Sequence, residues 1–423
     1  MHICVWGLAV CLGAAGLYAA EISVPLLEFV TRTTFEDGEA VMSSMASADI
    51  GINGGYKYGV LLGLSFNARN LGKAMAYQNY RMDYWDNGPS GSQLTDDDYN
   101  DLVDQINDRN DNQAVLSFRM AKATARELFG SPLEFAYFIG EADTFCSGSE
   151  FESRFSTGRI ATDYQGFSYF PNGIGGDILR QYDGIHGVQG TGISFALNAW
   201  DAFVPLLYLY QDFPYSSQYK LDSGELVDAG DTHYSGDLRF LYNGDSIKLE
   251  AFGGMTTGKA EGTGRSNSGR GGLLAYLSAN ENTGLFLQAG IPDWHTGSKL
   301  TTDNLYFLME PRLKFSLLSI YVTFFYHPVE YIHVYTKEEK GKADLNFKLF
   351  FGTLETSGVE GGIETTACLQ MNEVRDTDFY VSPFVSIVST GLRWDLKLRT
   401  NLTDLNNEQE GACAIFIGVR TAF

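Results

Sequence analysis

The large apolar residues of this chain recur at every second position rather than every third or fourth. Tyr56, Tyr58, Val60, Leu62, Leu64 and Phe66 form one series, and the positions between them (Lys57, Gly59, Leu61, Gly63, Ser65, Asn67) are mostly small or polar. Leu305, Phe307, Met309, Pro311, Leu313, Phe315 and Leu317 form another, opposed by Glu310, Arg312, Lys314 and Ser316. Near 391–403 the apolar series is Leu392, Trp394, Leu396 and Leu398, and its reverse is Arg393, Asp395, Lys397 and Arg399. A period of two puts alternate side chains on opposite faces of an extended strand. These segments therefore read as β-strands with one large apolar face.

Turn residues punctuate the strands at Gly130-Ser131-Pro132, Asn198 to Asp201, Asn243-Gly244-Asp245 and Asn280 to Thr283. Between these turns lie long polar stretches near 86–112, 144–183, 214–230, 257–270 and 292–303. Strands of about ten residues joined by alternating short and long connections are the signature of a transmembrane barrel, with periplasmic turns and extracellular loops. A soluble sandwich also alternates. Here, however, too few helical segments exist to cover so many apolar faces, and in lipid those faces need no cover. A closed sheet also satisfies every backbone group without water. The fold expected is thus all-β, a closed antiparallel transmembrane β-barrel.

From residue 113 onward the segments are 113–128, 131–143, 184–198, 201–213, 231–243, 246–256, 271–280, 284–291, 304–316, 318–336, 344–353, 358–371, 378–389, 391–403 and 411–423. Ahead of the first long loop stand 22–35, 39–53, 55–67 and 70–84. With both termini periplasmic only an odd number fits there, so one of these four is not a strand. The expected count is about eighteen, with sixteen next.

Composition supports one large sheet over several soluble domains. The 423 residues are 14% aromatic, with 47 Gly and only 10 Pro, and a mean hydropathy of −0.13. Past residue 20 the longest apolar run is about Phe203 to Tyr210, far short of the ~20 residues a spanning helix needs. Residues 1–20 read as a secretory signal, with an apolar core from Ile3 to Leu17 followed by Ala19 and Ala20. The barrel then occupies 21–423. Its cysteines, Cys146, Cys368 and Cys413, are odd in number and irregularly spaced, so they form neither a disulfide framework nor a zinc site. One surface pair stays open. A net charge of −22 excludes a phosphate-binding surface and hence a nucleic-acid partner. Trp85, Trp200, Trp294 and Trp394 fall at or near segment ends, where an interfacial aromatic girdle would need them.

The most specific feature closes the chain, where Ile415, Ile417, Val419 and Thr421 alternate up to a terminal Phe423. This resembles the C-terminal signature of bacterial outer-membrane proteins. The resemblance implies residence among outer-membrane lipids and insertion by the barrel-assembly machinery.

No constellation for catalysis stands out, and neither a cofactor nor a metal ion is expected. His327 and His333 share strand parity but lack a metal-binding spacing. Gly187 to Gly192 lies within a strand pattern, with its glycines in the wrong order for a dinucleotide loop. The charged positions say more. Asp237 and Arg239, Lys248 and Glu250, Glu310 with Arg312 and Lys314, Glu360 and Glu364, and Arg393 with Asp395, Lys397 and Arg399 each share the polar face of a strand. An Arg or Lys facing mid-bilayer would cost about 2–4 kcal/mol, so these side chains are expected to line the lumen. Arg393, Lys397 and Arg399 against Asp395 give one sector a net +2 (three minus one). Pairing across the wall is the alternative.

Loop 144–183 carries Tyr164, Phe167, Tyr169 and Phe170, which either fold into the mouth as a constriction or form an external flap. Thr95 and Asp98 start a capping pattern, with Tyr99, Leu102, Val103 and Ile106 on one helical face. The function expected is a porin-like channel for diffusion of small polar solutes. One rival is an apolar-solute transporter resembling the long-chain fatty-acid barrels, with 21–53 as its plug. Another is a structural or adhesive barrel.

Overall fold

A computed structural model describes residues 21–36, 39–54, 57–68, 114–158, 160–164, 184–212, 218–220, 226–228, 233–260, 264–295, 299–327, 342–354, 358–370, 377–406 and 412–421. The alternating segments form strands β1 (Glu21–Glu36), β2 (Glu39–Gly54), β3 (Tyr58–Ala68), β4 (Ala114–Ala125) and β5 (Leu133–Phe145). A short helix, α1 (Ser149–Phe155), precedes β6 (His186–Leu197) and β7 (Phe203–Asp212). A small separate hairpin, β8 (Gln218–Lys220) and β9 (Leu226–Asp228), leads to β10 (His233–Asn243), β11 (Ile247–Ala260) and β12 (Gly264–Asn280). Then come β13 (Thr283–His295), β14 (Tyr306–Phe315), β15 (Leu318–His327), β16 (Lys342–Thr353) and β17 (Val359–Gln370). β18 (Thr377–Ser389), β19 (Leu392–Asn401), a helical turn α2 (Leu402–Asn406) and β20 (Cys413–Thr421) complete the order.

All strands but the β8–β9 hairpin belong to one 18-stranded antiparallel sheet. Chain neighbours pair throughout, and β7 pairs with β10 across the hairpin. β1 pairs with β2 on one side and with β20 on the other, from Glu28↔Arg420 to Thr34↔Ala414. Three N-terminal strands correspond to the candidates at 22–35, 39–53 and 55–67, while the fourth, 70–84, lies outside the described residues. Because 21–54 is β1 and β2, no plug is formed from that stretch.

Two ladders run on past the ends expected from the sequence. The β11–β12 ladder runs on to Ala260↔Gly264, where a long loop over 257–270 was expected. β13 likewise continues to His295. The short β13 extension is Pro292 to His295, whereas the β11–β12 extension is rich in Gly, Ser, Thr and charged residues. With little apolar surface on either side of the ladder, the period-two signal vanishes although the backbone pairing continues.

The two faces of the sheet differ sharply. On β19, Trp394, Leu396 and Leu398 are exposed, whereas Asp395 and Lys397 are buried. On β10, Tyr234, Leu238, Phe240 and Tyr242 are exposed, whereas Asp237, Arg239 and Leu241 are buried. The protein therefore turns its large apolar side chains outward and packs its charges inside, the reverse of a soluble domain. Aromatic residues gather at the end where the tight turns lie. Phe129 and Trp200 are exposed there, and Trp200 meets Phe203, which stacks on Phe240 (5.7 and 6.1 Å between centroids). Trp394 stands two residues into β19, Trp294 sits near the end of β13, and Trp85 lies outside the described residues. On β20, Ile417 projects outward at 53% exposure, with Ile415 and Val419 on the same face. Phe423 is outside the described residues.

This face assignment makes a direct prediction. Leu396→Arg puts a guanidinium on the apolar face and should cost about 2–4 kcal/mol in a bilayer, sharply lowering the folded fraction. Leu396→Phe should fold like the wild type. Heat-modifiable migration on gels after refolding into phospholipid vesicles reads both outcomes, and equal folding of the Arg variant would reverse the faces.

Candidate functional site

The buried face is crossed by a segment that leaves the end of β5. Two left-handed positions flanking Ser147 make the exit, Cys146 (φ 59) and Gly148 (φ 74). Gly148 is required there, because a Cβ would fall 1.7 Å from the Ile160 carbonyl oxygen of the returning chain. Helix α1 follows, with Glu150 and Glu152 in its first turn and Arg154 in its last, the polarity its dipole favours. Seven residues do not make a stable helix alone. Tertiary contacts hold this one. Phe151 is fully buried, and Arg154 pairs with Glu150 and with Glu134 of β5 (3.3 Å to the latter).

Three groups of charges lie on this face, two of them against the insert. In the first, Arg239 of β10 lies between Asp143 of β5 (Nη1–Oδ2 2.7 Å) and Glu250 of β11 (Nη2–Oε1 2.8 Å), over the Phe145 ring. Tyr208 donates to Asp143 at 2.5 Å, and the Cys146 amide donates to Glu250. Gln288 of β13 donates to the Cys146 carbonyl and accepts from Tyr306 of β14 (2.5 and 2.8 Å). Beside it, Arg270 of β12 grips Asp237 with Nε and Nη2 (2.7 and 2.9 Å), and Tyr210 donates to the same carboxylate at 2.8 Å. Gly254 leaves room for this pair, since a Cβ there would meet Asp237 Oδ1 at 1.7 Å.

In the second group the far end of the segment docks onto β14 to β17. Glu310 accepts from the Thr162 hydroxyl (2.5 Å), the Asp163 amide (3.1 Å) and Thr323 of β15 (2.8 Å). Arg312 pairs with Glu310 at 2.6 Å and donates to the Ala161 carbonyl. Lys348 of β16 bridges Asp163 (2.6 Å) and Glu360 of β17 (3.5 Å). Tyr164 is buried and donates to Asp344 of β16 at 2.7 Å, with its ring 6.0 Å from Phe325.

The third group belongs to the wall alone. Lys397 pairs with Glu364 at 2.6 Å, and Asn346 donates to the same carboxylate at 2.8 Å. Arg393 of β19 and Arg420 of β20 stand opposite each other in register and share Asp395 (2.7 and 3.4 Å). Arg420 also lies 3.7 Å from Glu28 of β1. Arg399 sits over Tyr380 and Phe416.

The electrostatics of the insert follow from these partners. Burial opposes the charged form of Glu150, but Arg154, with Arg239 and Lys122, holds its carboxyl down at about 2. Burial likewise opposes ionised Asp163, and Lys348, backed by Arg312 and Arg393, keeps that carboxyl below its ordinary range. Burial and then Asp344 push the Tyr164 phenol up, so it remains a donor.

All the charged positions singled out in the sequence lie on the inner parity of their strands, but their surroundings differ. Asp237, Arg239, Glu250 and Glu310 are fully enclosed, Lys248 is partly exposed near a turn and Lys314 is exposed near another. Lys397 is neutralised by Glu364, so the net +2 expected on β19 is offset across the wall. The described part of loop 144–183 folds inward at Tyr164, while Phe167, Tyr169 and Phe170, and the helical pattern after Thr95, lie outside the described residues. Cys146, Cys368 and Cys413 form no disulfide with one another, and no His, Cys, Asp and Glu group able to hold a metal occurs among the described residues. The sequence reading missed Asp143, Asp163, Arg270 and Lys348. Strand parity alone marks Lys348, which shares its face with Asp344 and Asn346. Asp143 stands near the end of β5, Asp163 lies in a loop, and Arg270 lies in the Gly- and Ser-rich part of β12, where parity gives no signal.

No family model matches the chain, and no curated protein matches it in sequence. Its fold is similar to that of OccAB3 from Acinetobacter baumannii, with a TM-score of 0.51 and 10% identity, covering 96% of this chain and 100% of that one. It is also similar to OpdL from Pseudomonas aeruginosa, with a TM-score of 0.51 and 9% identity over 96% and 99% of the two chains. The shared fold is that of outer-membrane porins.

The enclosed ion pairs predict an asymmetric mutational response. Arg239→Met strands two carboxylates, those of Asp143 and Glu250, and should destabilise by about 3–5 kcal/mol. Lys314→Met, at an exposed position near a turn, should cost far less. Urea unfolding of protein refolded in vesicles compares them, and equal midpoints would show that Arg239 does not anchor the insert.

Proposed function

We propose that the sheet closes as a transmembrane β-barrel in the bacterial outer membrane and conducts small polar solutes by diffusion. The observation that carries this reading is the opposition of its faces, apolar and exposed outside, ionic and buried inside. In water the exposed Leu, Phe and Tyr side chains would be a large aggregation liability; in lipid they are matched to their solvent. The β1–β20 ladder supports closure, because a free sheet edge in hydrocarbon would leave a row of backbone groups unsatisfied. The porin fold of OccAB3 and OpdL supports the same placement.

Residues 1–20 then serve as the export signal, and the β20 alternation ending at Phe423 as the address read by the barrel-assembly machinery. The insert narrows the passage as a constriction. Water and ions pass where the lining side chains stay hydrated, and the paired charges there sort solutes by sign and size. No site in this reading performs a reaction.

Planar-bilayer recordings of the refolded protein test the proposal. The wild type should show discrete, reproducible conductance steps. Gly148→Val removes the turn that seats the insert and should raise the step size while far-UV circular dichroism keeps its strand signal. A silent wild type that is demonstrably inserted would favour a structural barrel, and an unchanged step in Gly148→Val would remove the insert from the passage.

A further inference from the structure

The outward face of the described sheet is mostly apolar, but charge enters it on β4 and β5. Arg119 and Glu141 pair there at 3.1 Å, with side chains 41% and 48% exposed. Gln189 of β6 stands across from Glu141, and Gln211 of β7 across from Thr191 on the same face. Glu141, Gln189 and Gln211 each lie eight residues along their strands from the tight-turn ends at Leu133, Leu197 and Phe203. At ~3.3 Å per residue and a tilt of ~40°, that is ~20 Å above the turns, near the top of an apolar band ~25 Å tall. The same step on β11 and β16 carries Met255 and Leu345, both exposed. Leu116 and Phe118 are exposed beyond Arg119 on β4, so the pair lies within the apolar face rather than past its end.

The backbone is shaped to put the pair there. Arg119 is the extra residue of a bulge against β3, between Gly63↔Met120 and Leu64↔Phe118. A second bulge follows Glu141, where Asp143 takes the place beside Val188. Between them Gly140 adopts φ +92, and a Cβ there would meet the Arg119 carbonyl oxygen at 2.1 Å. Bulges re-aim side chains, and these two bring opposite charges together on the outer face. An ion pair this exposed contributes little to stability, so stability does not account for the construction. Below the pair the surface carries a furrow. The outward residues of β4 from there to the turn are Ala121, Ala123 and Ala125. Val60 and Leu62 of β3 rise on one side of them, and Tyr137 and Ile139 of β5 on the other.

Resting on the transmembrane reading above, we propose that this face holds one zwitterionic phospholipid of the outer leaflet, with a phosphoethanolamine headgroup. Arg119 donates to the phosphate, Glu141 accepts from the ammonium, and one acyl chain lies along the alanines. A charge pair of net zero beside neutral amides is complementary to a headgroup that is itself a charge pair. A polyanionic headgroup would leave Glu141 opposed, and the net charge of −22 on the chain would repel it.

Native mass spectrometry of the refolded, detergent-solubilised protein tests the assignment, with phosphatidylethanolamine, phosphatidylcholine and phosphatidylglycerol added at equal concentration. The wild type should retain one phosphatidylethanolamine and neither of the others. Phosphatidylcholine has no N–H to give Glu141, and phosphatidylglycerol has no ammonium. Arg119→Gln and Glu141→Gln should each lower the occupancy about tenfold, the scale of one lost charge-assisted hydrogen bond. Ala123→Phe, which fills the furrow, should lower it as well, whereas Met255→Ala should leave it unchanged. Heat-modifiable migration after refolding into vesicles, run on the wild type and every variant, separates the two readings. A wild type that does not fold there would sink the transmembrane reading. A folded wild type that retains the three lipids equally, or a folded Arg119→Gln that retains phosphatidylethanolamine unchanged, would overturn the lipid site alone. A lipid-free dimer that Ala123→Phe abolishes would also overturn it, and would assign the face to a second copy of the chain.

Discussion

Every structural assignment in this protein depends on the backbone pairing of one sheet. Eighteen strands each share hydrogen bonds with two neighbours, and β1 meets both β2 and β20. Once those ladders are set, a residue's parity decides its face, because successive side chains in a strand point opposite ways. A slip of one residue on β19 would carry Leu396 inward and Lys397 outward together. Neither is tolerable: Leu396 has only apolar surroundings to gain outside, and Lys397 has Glu364 waiting inside at 2.6 Å.

The inward charges therefore solve a packing problem before they serve any other purpose. Burying an ion is costly unless it is paired and hydrogen-bonded, and removing one partner costs more than the pair ever contributes. Arg239 illustrates the consequence. It is held by Asp143 at the end of β5 and Glu250 in mid-β11, and the same Glu250 accepts from the Cys146 amide. One guanidinium thus ties two distant strands to the root of the insert. At the other end Glu310 gathers Thr162, Asp163, Arg312 and Thr323. Ion pairs of this kind are geometrically demanding, which suits them to fixing a loop at one height inside a wide sheet.

Between these two anchors the segment is short of regular structure, and its conformation is set by what it touches. Helix α1 persists because Phe151 is enclosed and Arg154 is doubly paired. Gly148 permits a return path that no side chain could share. The result is an insert packed into one apolar cluster with wall residues from β5 to β15.

The amino-acid sequence alone determined the strands and their faces. Tyr58 to Phe66, Phe307 to Phe315 and Leu392 to Arg399 announce themselves because alternation is a local property, written in consecutive residues. The charged partners were legible as inward-facing for the same reason. What each charge does was decided only by the tertiary structure. Asp143 meets Arg239 across 96 residues of chain, and Lys348 meets Asp163 across 185. No local period encodes such distances. The extended β11–β12 ladder was hidden because its residues are polar on both sides, and α1 because seven residues are too few to show a helical period. Periodicity reports the contrast between two environments; it is silent about which distant residue supplies the partner, and that is settled when the sheet brings the two together.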